Sequence, residues 1–332
     1  VVDGICLLGI AGGVAAVLGV GTMQISSGIQ ILTGLTADKT MWIAVVSAMA
    51  AVYVISSYTG LNRGIRWLSD KNAKIFLALM IFVFVFGPTR FILSLGTQAT
   101  GHFINEFFIR THYLSAVDGS AWPRWWPIYY WAIWLAYAPL IGMFLARLAK
   151  GRTIRQFLLM NLMVPAIFGL LWFSVFGGAA IHLELTGQGL WAAIHEGGKL
   201  MLEKSVFEFL KHYPLANILS WVFVGTVFIS IVTMADSMTS TVASLSTTAA
   251  HQEGKEPPAT LKIFWGAVMS SVAIINLISG SGGGEISGID ATKQISTAAG
   301  FPILFLMMLM AFTICWMIIR HSRGEKVLLV KE

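Results

Sequence analysis

A stretch rich in aromatic residues, at positions 122–137, carries the side chains with the clearest capacity for binding chemistry. Five of the chain's 12 tryptophans lie between positions 122 and 134. At about 100° per residue, a helix through this stretch would place five bulky side chains on one stripe roughly 100° wide. They are Trp126, Tyr130, Ile133, Trp134 and Tyr137. Aromatic faces attract cations, including a quaternary ammonium that has no proton to donate, so the spacing predicts a cage for such a group.

Membrane interfaces offer a second interpretation of the same aromatic residues. Trp and Tyr form belts at both surfaces of a bilayer without binding any ligand. The prolines at positions 123 and 127 are typical of a helix start, so the tryptophans up to position 126 suit such a belt. Trp134 and Tyr137 lie two to three turns deeper, which favours a cage for these two residues.

A carboxylate within a long apolar stretch is the second feature with chemical capacity. Asp236 follows Thr233 and Met234, and hydroxyl side chains recur at positions 237, 239, 240 and 241. An intramembrane carboxylate is costly and usually faces a bundle interior or a cavity, which favours an ion or proton site. The same groups can equally hold neighbouring helices together through hydrogen bonds. Both interpretations remain open at this stage.

The composition is that of a membrane protein. Of 332 residues, 56% are hydrophobic and 11% are charged, whereas soluble domains have about 25% charged residues. The formal net charge of +6 arises from Lys and Arg beside apolar segments, which indicates membrane topology rather than nucleic-acid binding. No pair of histidines has metal-ligand spacing and no nucleophile–base arrangement is present, so we expect no metal, no cofactor and no enzymatic activity.

Eight segments are apolar over the roughly 20 residues that a membrane span requires. They lie at about 4–33, 40–58, 75–99, 127–147, 157–183, 216–247, 261–279 and 299–319. If these spans alternate, the basic loops at 60–74, 147–156 and 248–262 and the tail all fall on one side. The positive-inside rule makes that side cytoplasmic, with both ends of the chain. The sequence therefore predicts a multi-pass protein of the plasma or inner membrane.

Segments outside the spans complete the predicted organisation. Residues 190–212 mix apolar and charged side chains and are predicted to form an amphipathic helix at the outer interface, and residues 101–112 are similar. The chain opens on Val1 and runs almost at once into an apolar segment, so we expect that it begins inside a longer protein.

Motifs along the whole chain resemble those of betaine/choline/carnitine transporters. The most specific is the run at positions 130–139, Tyr-Trp-Ala-Ile-Trp-Leu-Ala-Tyr-Ala-Pro, followed by similar runs at 142–147 and 151–157. Shorter matches lie at 24–25, 58–61, 68–70, 87–89, 176–178 and 235–237. Together these motifs are highly specific for the family.

The resemblance implies an all-α, leucine-transporter-like fold with two inverted repeats of five helices, within twelve spans. The match begins at the family's fifth span. Residues 1–112 would then hold the last three helices of the first repeat and an outer interfacial segment. Residues 113–332 would hold the second repeat, with the outer helix at about 190–212 and a cytoplasmic tail. Half of the family's substrate cage would lie outside this chain, and a homotrimer is expected because family members are commonly trimers.

The resemblance also implies roles for the aromatic residues. Trp134 and Tyr137 match cage positions, Trp126 matches a tryptophan of the outer vestibule, and Tyr129 matches an aromatic gate. Ile133 departs from the pattern, since family members usually have Trp there. This departure does not change the expected class of substrate, but it leaves open which compound of that class is bound.

The residues implied in ion coupling depart further from the family. Sodium-dependent members have a Thr-Ser pair where this chain has Thr233 and Met234, and a thioether is a poor ligand for a hard cation. Those members also place hydroxyls where this chain has Ile10, Val14 and Val17. The sodium-independent carnitine branch of the family has an Arg where this chain has Asn72. The feature typical of that branch is therefore absent as well.

These observations predict a secondary transporter of a quaternary ammonium compound of the betaine, choline or carnitine type. It would work by alternating access in a lipid bilayer, as sodium-independent exchange or uptake. A sodium- or proton-coupled symporter of the same substrates is the alternative within this class. An ion channel, or a membrane protein without transport activity, is the alternative from another class.

Overall fold

The computed structural model describes residues 2–59, 62–196, 199–247, 257–280 and 288–323, and nearly all of them are helical. The α-helices are α1 (Val2–Thr33), α2 (Lys39–Thr59), α3 (Asn62–Phe86), α4 (Thr89–Asn105), α5 (Phe107–Thr111), α6 (Tyr129–Ala149), α7 (Ile154–Leu158), α8 (Val164–Leu185), α9 (Leu190–Ala193), α10 (Ser205–Leu210), α11 (Ala216–Leu245), α12 (Ala259–Gly280) and α13 (Gly288–Ser322). Two π-helical segments, Arg124–Ile128 and Leu159–Met163, precede α6 and α8, and a 3₁₀-helix covers Leu202–Lys204.

Six helical stretches in the described part of the chain are long and apolar enough to cross a membrane. They are Gly4–Thr33, Lys39–Ser56, Ile154–Leu185, Ala216–Leu245, Ala259–Ser279 and Thr297–Arg320. Each coincides closely with a predicted span. A seventh is reached if the bent pair Trp67–Phe86 and Thr89–Asn105 counts as one span. The protein is therefore an all-α, multi-pass membrane protein, while the count of eight spans stays a prediction.

The predicted span at 75–99 is wrong as a single helix. α3 ends at Phe86 and α4 begins at Thr89, with a bend of 109° between them. Pro88 lacks the backbone N–H that would continue the helix, and Thr89 Oγ1 instead donates to the carbonyl of Phe84 at 2.6 Å. α3 also extends back to Asn62, so most of the predicted basic loop is helical.

The single amphipathic helix predicted at 190–212 is also wrong. α9 is followed by two short antiparallel strands, β1 (His195–Glu196) and β2 (Lys199–Leu200), and then by the 3₁₀-helix and α10. The sequence between the strands is a pair of glycines, and adjacent glycines strongly disfavour a helix interior.

α1 is the central helix of the bundle and contacts α2, α6, α11, α12 and α13. Residues 4–21 of α1 are apolar on all sides, as expected for a helix that is surrounded by others. Ile10, Val14 and Leu18 are fully buried. A second cluster joins α3, α4, α8 and α10 through residues such as Val83, Ile92 and Leu210.

Hydrogen bonds from buried side chains to neighbouring helices help to tie the bundle together. The hydroxyl of Tyr53 on α2 donates to the carbonyl of Gly266 on α12 at 2.7 Å. The amide of Asn72 on α3 donates to Ser230 Oγ on α11 at 2.6 Å. Both Tyr53 and Asn72 are buried, so each bond replaces the water that these groups lose.

Candidate functional site

α6 carries the aromatic stripe, and its start is irregular. The π-helical segment Arg124–Ile128 contains Pro127, and the missing N–H of this proline is compatible with the wider turn of a π-helix. The helix then continues through Pro139 to Ala149. A helix of 21 residues is about 30 Å long, which is enough to carry the stripe from an interface into a bilayer.

One side of the stripe packs into the core. Tyr129 and Tyr137 are buried, and Ile133 between them packs against the main core cluster. Tyr137 lies against α1 at Gly13, where a Cβ atom would come within 3.3 Å of the tyrosine Cζ. The absence of a side chain at Gly13 therefore lets the ring approach α1. The Tyr137 hydroxyl is buried and makes no hydrogen bond within the described part of the chain.

The other side of the stripe is open. Trp134 is 65% exposed and Tyr130 is 52% exposed, whereas Trp126 is half-buried. The rings of Trp126 and Tyr130 stack with centroids 6.2 Å apart and planes 18° apart, and Tyr129 meets Tyr130 edge-on at 5.4 Å. The structure thus gathers Trp126, Tyr129 and Tyr130, and it places Tyr137 and Trp134 on adjoining sides of the helix.

A cavity of about 240 Å³ opens beside the three gathered rings. It is lined by Val20, Gln24, Trp126, Tyr129, Tyr130, Leu202 and Glu203. α1, α6 and the 3₁₀-helix each contribute to the wall. Tyr137 lies two turns further along α6, so the cavity and the buried tyrosine occupy different depths along the same helix.

Several residues that line the cavity are not among the site residues predicted from the sequence. Val20 and Gln24 are one turn apart on α1 and so face the same side, and Gln24 belongs to a matched motif, but neither residue type signals a ligand by itself. Leu202 and Glu203 were predicted to lie on an interfacial helix. Only the packing of the 3₁₀-helix against α1 reveals that they line the cavity.

The loop before the aromatic helix is held by a hydrogen bond that Tyr113 O–H donates to Asp118. This bond lowers the pKa of the Asp118 carboxyl, because it stabilises the charged form, and raises the pKa of Tyr113. The Tyr113 ring also lies 6.5 Å from that of Trp122. The loop is thereby anchored just before the aromatic helix begins.

The predicted coupling residues lie along α11. Thr233 is half-buried, and its hydroxyl donates to the carbonyls of Ile229 and Ser230, at 2.9 and 3.0 Å. Met234 is half-buried and Asp236 is buried. The structure brings no group of three His, Cys, Asp or Glu side chains into metal-binding proximity among the residues it describes.

The aliphatic residues that replace the expected hydroxyls belong to the core that α1 shares with α11. Ile10 and Val14 on α1 share the main core cluster with Ile231, Val232 and Ala235 on α11, and Val17 packs against it. The two helices α1 and α11 approach each other closely, because a Cβ atom at Gly21 on α1 would overlap the Ile231 side chain. At positions 10, 14 and 17, where the resemblance implies ion ligands in sodium-dependent relatives, this chain therefore has only aliphatic side chains.

Comparison with known proteins settles the family. The family model for betaine/carnitine/choline transporters (BCCT) matches residues 1–323. The chain belongs to this family. Its members are transporters rather than enzymes, which agrees with the composition and with the absence of a catalytic constellation from the sequence.

Curated relatives of the chain include ectoine and glycine betaine transporters. The chain is 31% identical over 325 residues to an ectoine/hydroxyectoine transporter of Virgibacillus pantothenticus, covering 98% of this chain and 62% of the relative. It is 33% identical over 332 residues to a glycine betaine transporter of Acinetobacter baylyi, covering 97% and 46%. The glycine betaine transporter OpuD of Bacillus subtilis is 30% identical over 327 residues, with 98% and 60% covered. The chain spans between about half and three-fifths of the length of these relatives.

Proposed function

We propose that the protein containing this chain is a secondary transporter of a quaternary ammonium compound of the betaine, choline or carnitine type. The substrate would bind along the aromatic side of α6. It would reach Trp134 and Tyr137 through the outer group formed by Trp126, Tyr129 and Tyr130.

The single observation that carries this proposal is the arrangement of rings on α6. Three aromatic rings line one wall of a cavity next to α1, and Trp134 continues their exposed side one turn deeper. Ring faces attract an alkylated cation without requiring it to donate a hydrogen bond. The names of the relatives support the substrate class, since two of those compared above are glycine betaine transporters.

Tyr137 would contribute a hydroxyl as well as a ring. Its oxygen is buried without a hydrogen-bond partner in the described part of the chain, and such a group gains free energy when a ligand supplies the missing bond. The carboxylate of a betaine or carnitine, or the hydroxyl of choline, would provide an acceptor for the tyrosine O–H.

Alternating access about this helix is the proposed mechanism, with transport by sodium-independent exchange or uptake. Inverted repeats, a homotrimer and cytoplasmic chain ends belong to the same proposal. A sodium- or proton-coupled symporter of the same substrates is the alternative that Thr233 and Asp236 would favour, because both carry oxygen ligands on α11.

A channel is the alternative from another class. It would need a continuous polar path through the bundle. The main core cluster that α1 and α11 share instead contains aliphatic side chains such as Val14, Ile231 and Val232. Within the described helices, this apolar packing favours a transporter that rearranges over a pore that stays open.

The test is uptake by the complete protein reconstituted in proteoliposomes, with glycine betaine, choline and carnitine as labelled substrates and as competitors. Saturable uptake of at least one compound, inhibited by the other two, is the expected result. Ion currents without saturable uptake would support the channel instead, and no flux from a correctly folded protein would contradict transport altogether.

A further inference from the structure

The outer cavity combines three aromatic rings with one acidic side chain. Among the described residues that line it, Glu203 is the one that carries a charge at neutral pH. Glu203 comes from the 3₁₀-helix Leu202–Lys204, which packs against α1. Its carboxylate therefore shares a cavity with Trp126, Tyr129 and Tyr130, although it is about seventy residues away in sequence.

The size and chemistry of the cavity suit a small alkylated cation. Its volume of about 240 Å³ is below the roughly 300–1,000 Å³ of pockets for drug-sized ligands. Aromatic rings stabilise a quaternary ammonium through their faces, and a nearby carboxylate adds a Coulomb attraction that is stronger away from bulk water. Val20 and Leu202 complete an apolar wall for the alkyl groups.

The cavity also contains one uncharged hydrogen-bonding side chain. Gln24 on α1 is half-buried and lines the same space. Its amide can donate a hydrogen bond to a carboxylate or hydroxyl on the substrate. Glu203 and Gln24 thus act oppositely on a zwitterion, because a carboxylate repels the anionic end and an amide binds it.

We propose that this cavity is an outer recognition site in which Glu203 sets the preference between cationic and zwitterionic quaternary ammonium compounds. The inference rests on the proposed function and adds a residue that selects among its substrates. Choline carries a net positive charge, which the carboxylate of Glu203 attracts. Glycine betaine has no net charge and its carboxylate is repelled, so Glu203 favours choline relative to glycine betaine at this site.

The test compares how strongly choline and glycine betaine inhibit uptake of whichever compound the complete protein transports. Glu203→Gln removes the charge and keeps the shape. The ratio of the two half-inhibiting concentrations should shift about fivefold towards glycine betaine, as expected for one partly exposed charge pair. Gln24→Glu adds a second carboxylate to the cavity and should shift the ratio in the opposite direction.

Glu208→Gln is the matched control on the same outer segment. Glu208 pairs with Lys211 at 2.7 Å and does not line the cavity, so this variant should leave the ratio unchanged. The same ratio in Glu203→Gln as in the unmodified protein would overturn the inference, as would an equal shift in Glu208→Gln. If Glu203→Gln fails to fold, an unshifted ratio in Gln24→Glu overturns it instead.

The proposed function can fail separately from this inference. If the unmodified protein transports no quaternary ammonium compound, the substrate class is wrong whatever the variants do. If it does transport one, and neither Glu203→Gln nor Gln24→Glu shifts the ratio of half-inhibiting concentrations, the substrate class stands and the proposed selection by charge is wrong.

Discussion

Trp134 can be removed without leaving a hole in the fold, because its side chain is 65% exposed on the described bundle. Its proposed role is to present a ring to the substrate in the closed state of the proposed alternating-access cycle, where a ring over a desolvated cation contributes about 2 kcal/mol or more. Trp134→Ala should therefore weaken substrate binding by more than about tenfold, with little change in thermal stability. Trp134→Phe should weaken it less. Substrate affinity and melting temperature of the purified protein measure the two effects.

Trp131 provides the control for this prediction. It lies on the same helix and is 71% exposed, but it lies outside the predicted stripe. Trp131→Ala should change affinity far less than Trp134→Ala. Equal effects of the two substitutions would contradict the proposal that substrate binds on the side of α6 that carries Trp134.

At the residue scale, the sequence predicted part of the candidate site. The spacing of aromatic residues placed Trp126, Tyr130 and Trp134 on one stripe, and the structure does stack the first two rings. The helical spacing alone does not show which edge of the stripe faces α1, because that depends on packing between helices that are distant in sequence. Gly13 decides it, by making room for Tyr137 against α1.

At the scale of helices, Gly300 brings α13 against α6. A Cβ atom at this position would lie 2.5 Å from the carbonyl oxygen of Ala132, and a backbone atom cannot yield as a flexible side chain can. Gly300→Ala should force α6 away from α13 and destabilise the protein by about 1–3 kcal/mol. Because α6 carries the candidate site, substrate affinity should fall too.

Gly142→Ala tests whether this effect is specific. Gly142 lies on α6, and nothing comes within 4 Å of a Cβ built there. Alanine favours a helix interior by about 1 kcal/mol over glycine, so Gly142→Ala should retain stability or raise it. Thermal unfolding in detergent measures both variants. Loss of stability in Gly142→Ala and none in Gly300→Ala would contradict this account of helix packing.

The helices were largely predictable, because long apolar runs fix where a chain can cross a bilayer. Two elements were not. The Gly87–Pro88 pair signals a break, but its 109° angle depends on contacts such as that between α4 and α8. The segment at 190–212 has an amphipathic composition, yet its paired glycines and its packing against α1 and α11 give short elements instead of one helix.

At the scale of the whole molecule, the charge pattern predicts that the loop joining α6 and α7 is cytoplasmic. Arg152 in this loop is exposed. In a background with Cys6 and Cys315 replaced, Arg152→Cys should resist a membrane-impermeant thiol reagent in intact cells and react after permeabilisation. Val117 is fully exposed in the loop before α6, which lies outside if the predicted spans alternate, so Val117→Cys should react in intact cells. The reverse pattern would invert the topology.

Ion coupling depends on the whole bundle, because a sodium site in the leucine-transporter-like fold that the resemblance implies draws several oxygens from more than one helix. On α1, Ile10 and Val14 are fully buried in the core that α1 shares with α11 and offer no side-chain oxygen. On α11, Thr233 supplies one hydroxyl, which already donates to two carbonyls in its own helix. Met234 supplies a thioether, which a hard cation avoids.

Transport should therefore not require sodium. Replacing external sodium with potassium in the reconstituted complete protein should leave the rate of substrate uptake or exchange unchanged. Asp236 is buried on the same helix, so a proton gradient is the next driving force to impose, and stimulation by acid outside would assign coupling to a proton. If uptake instead collapses without sodium and recovers saturably on its return, the ligands must come from groups other than Ile10, Val14 and Met234.

Met234→Ser further separates sodium-independent from sodium-coupled transport. It restores the Thr-Ser pair of the sodium-dependent pattern and should leave transport independent of sodium, because the aliphatic side chains of α1 still supply no oxygen from the facing helix.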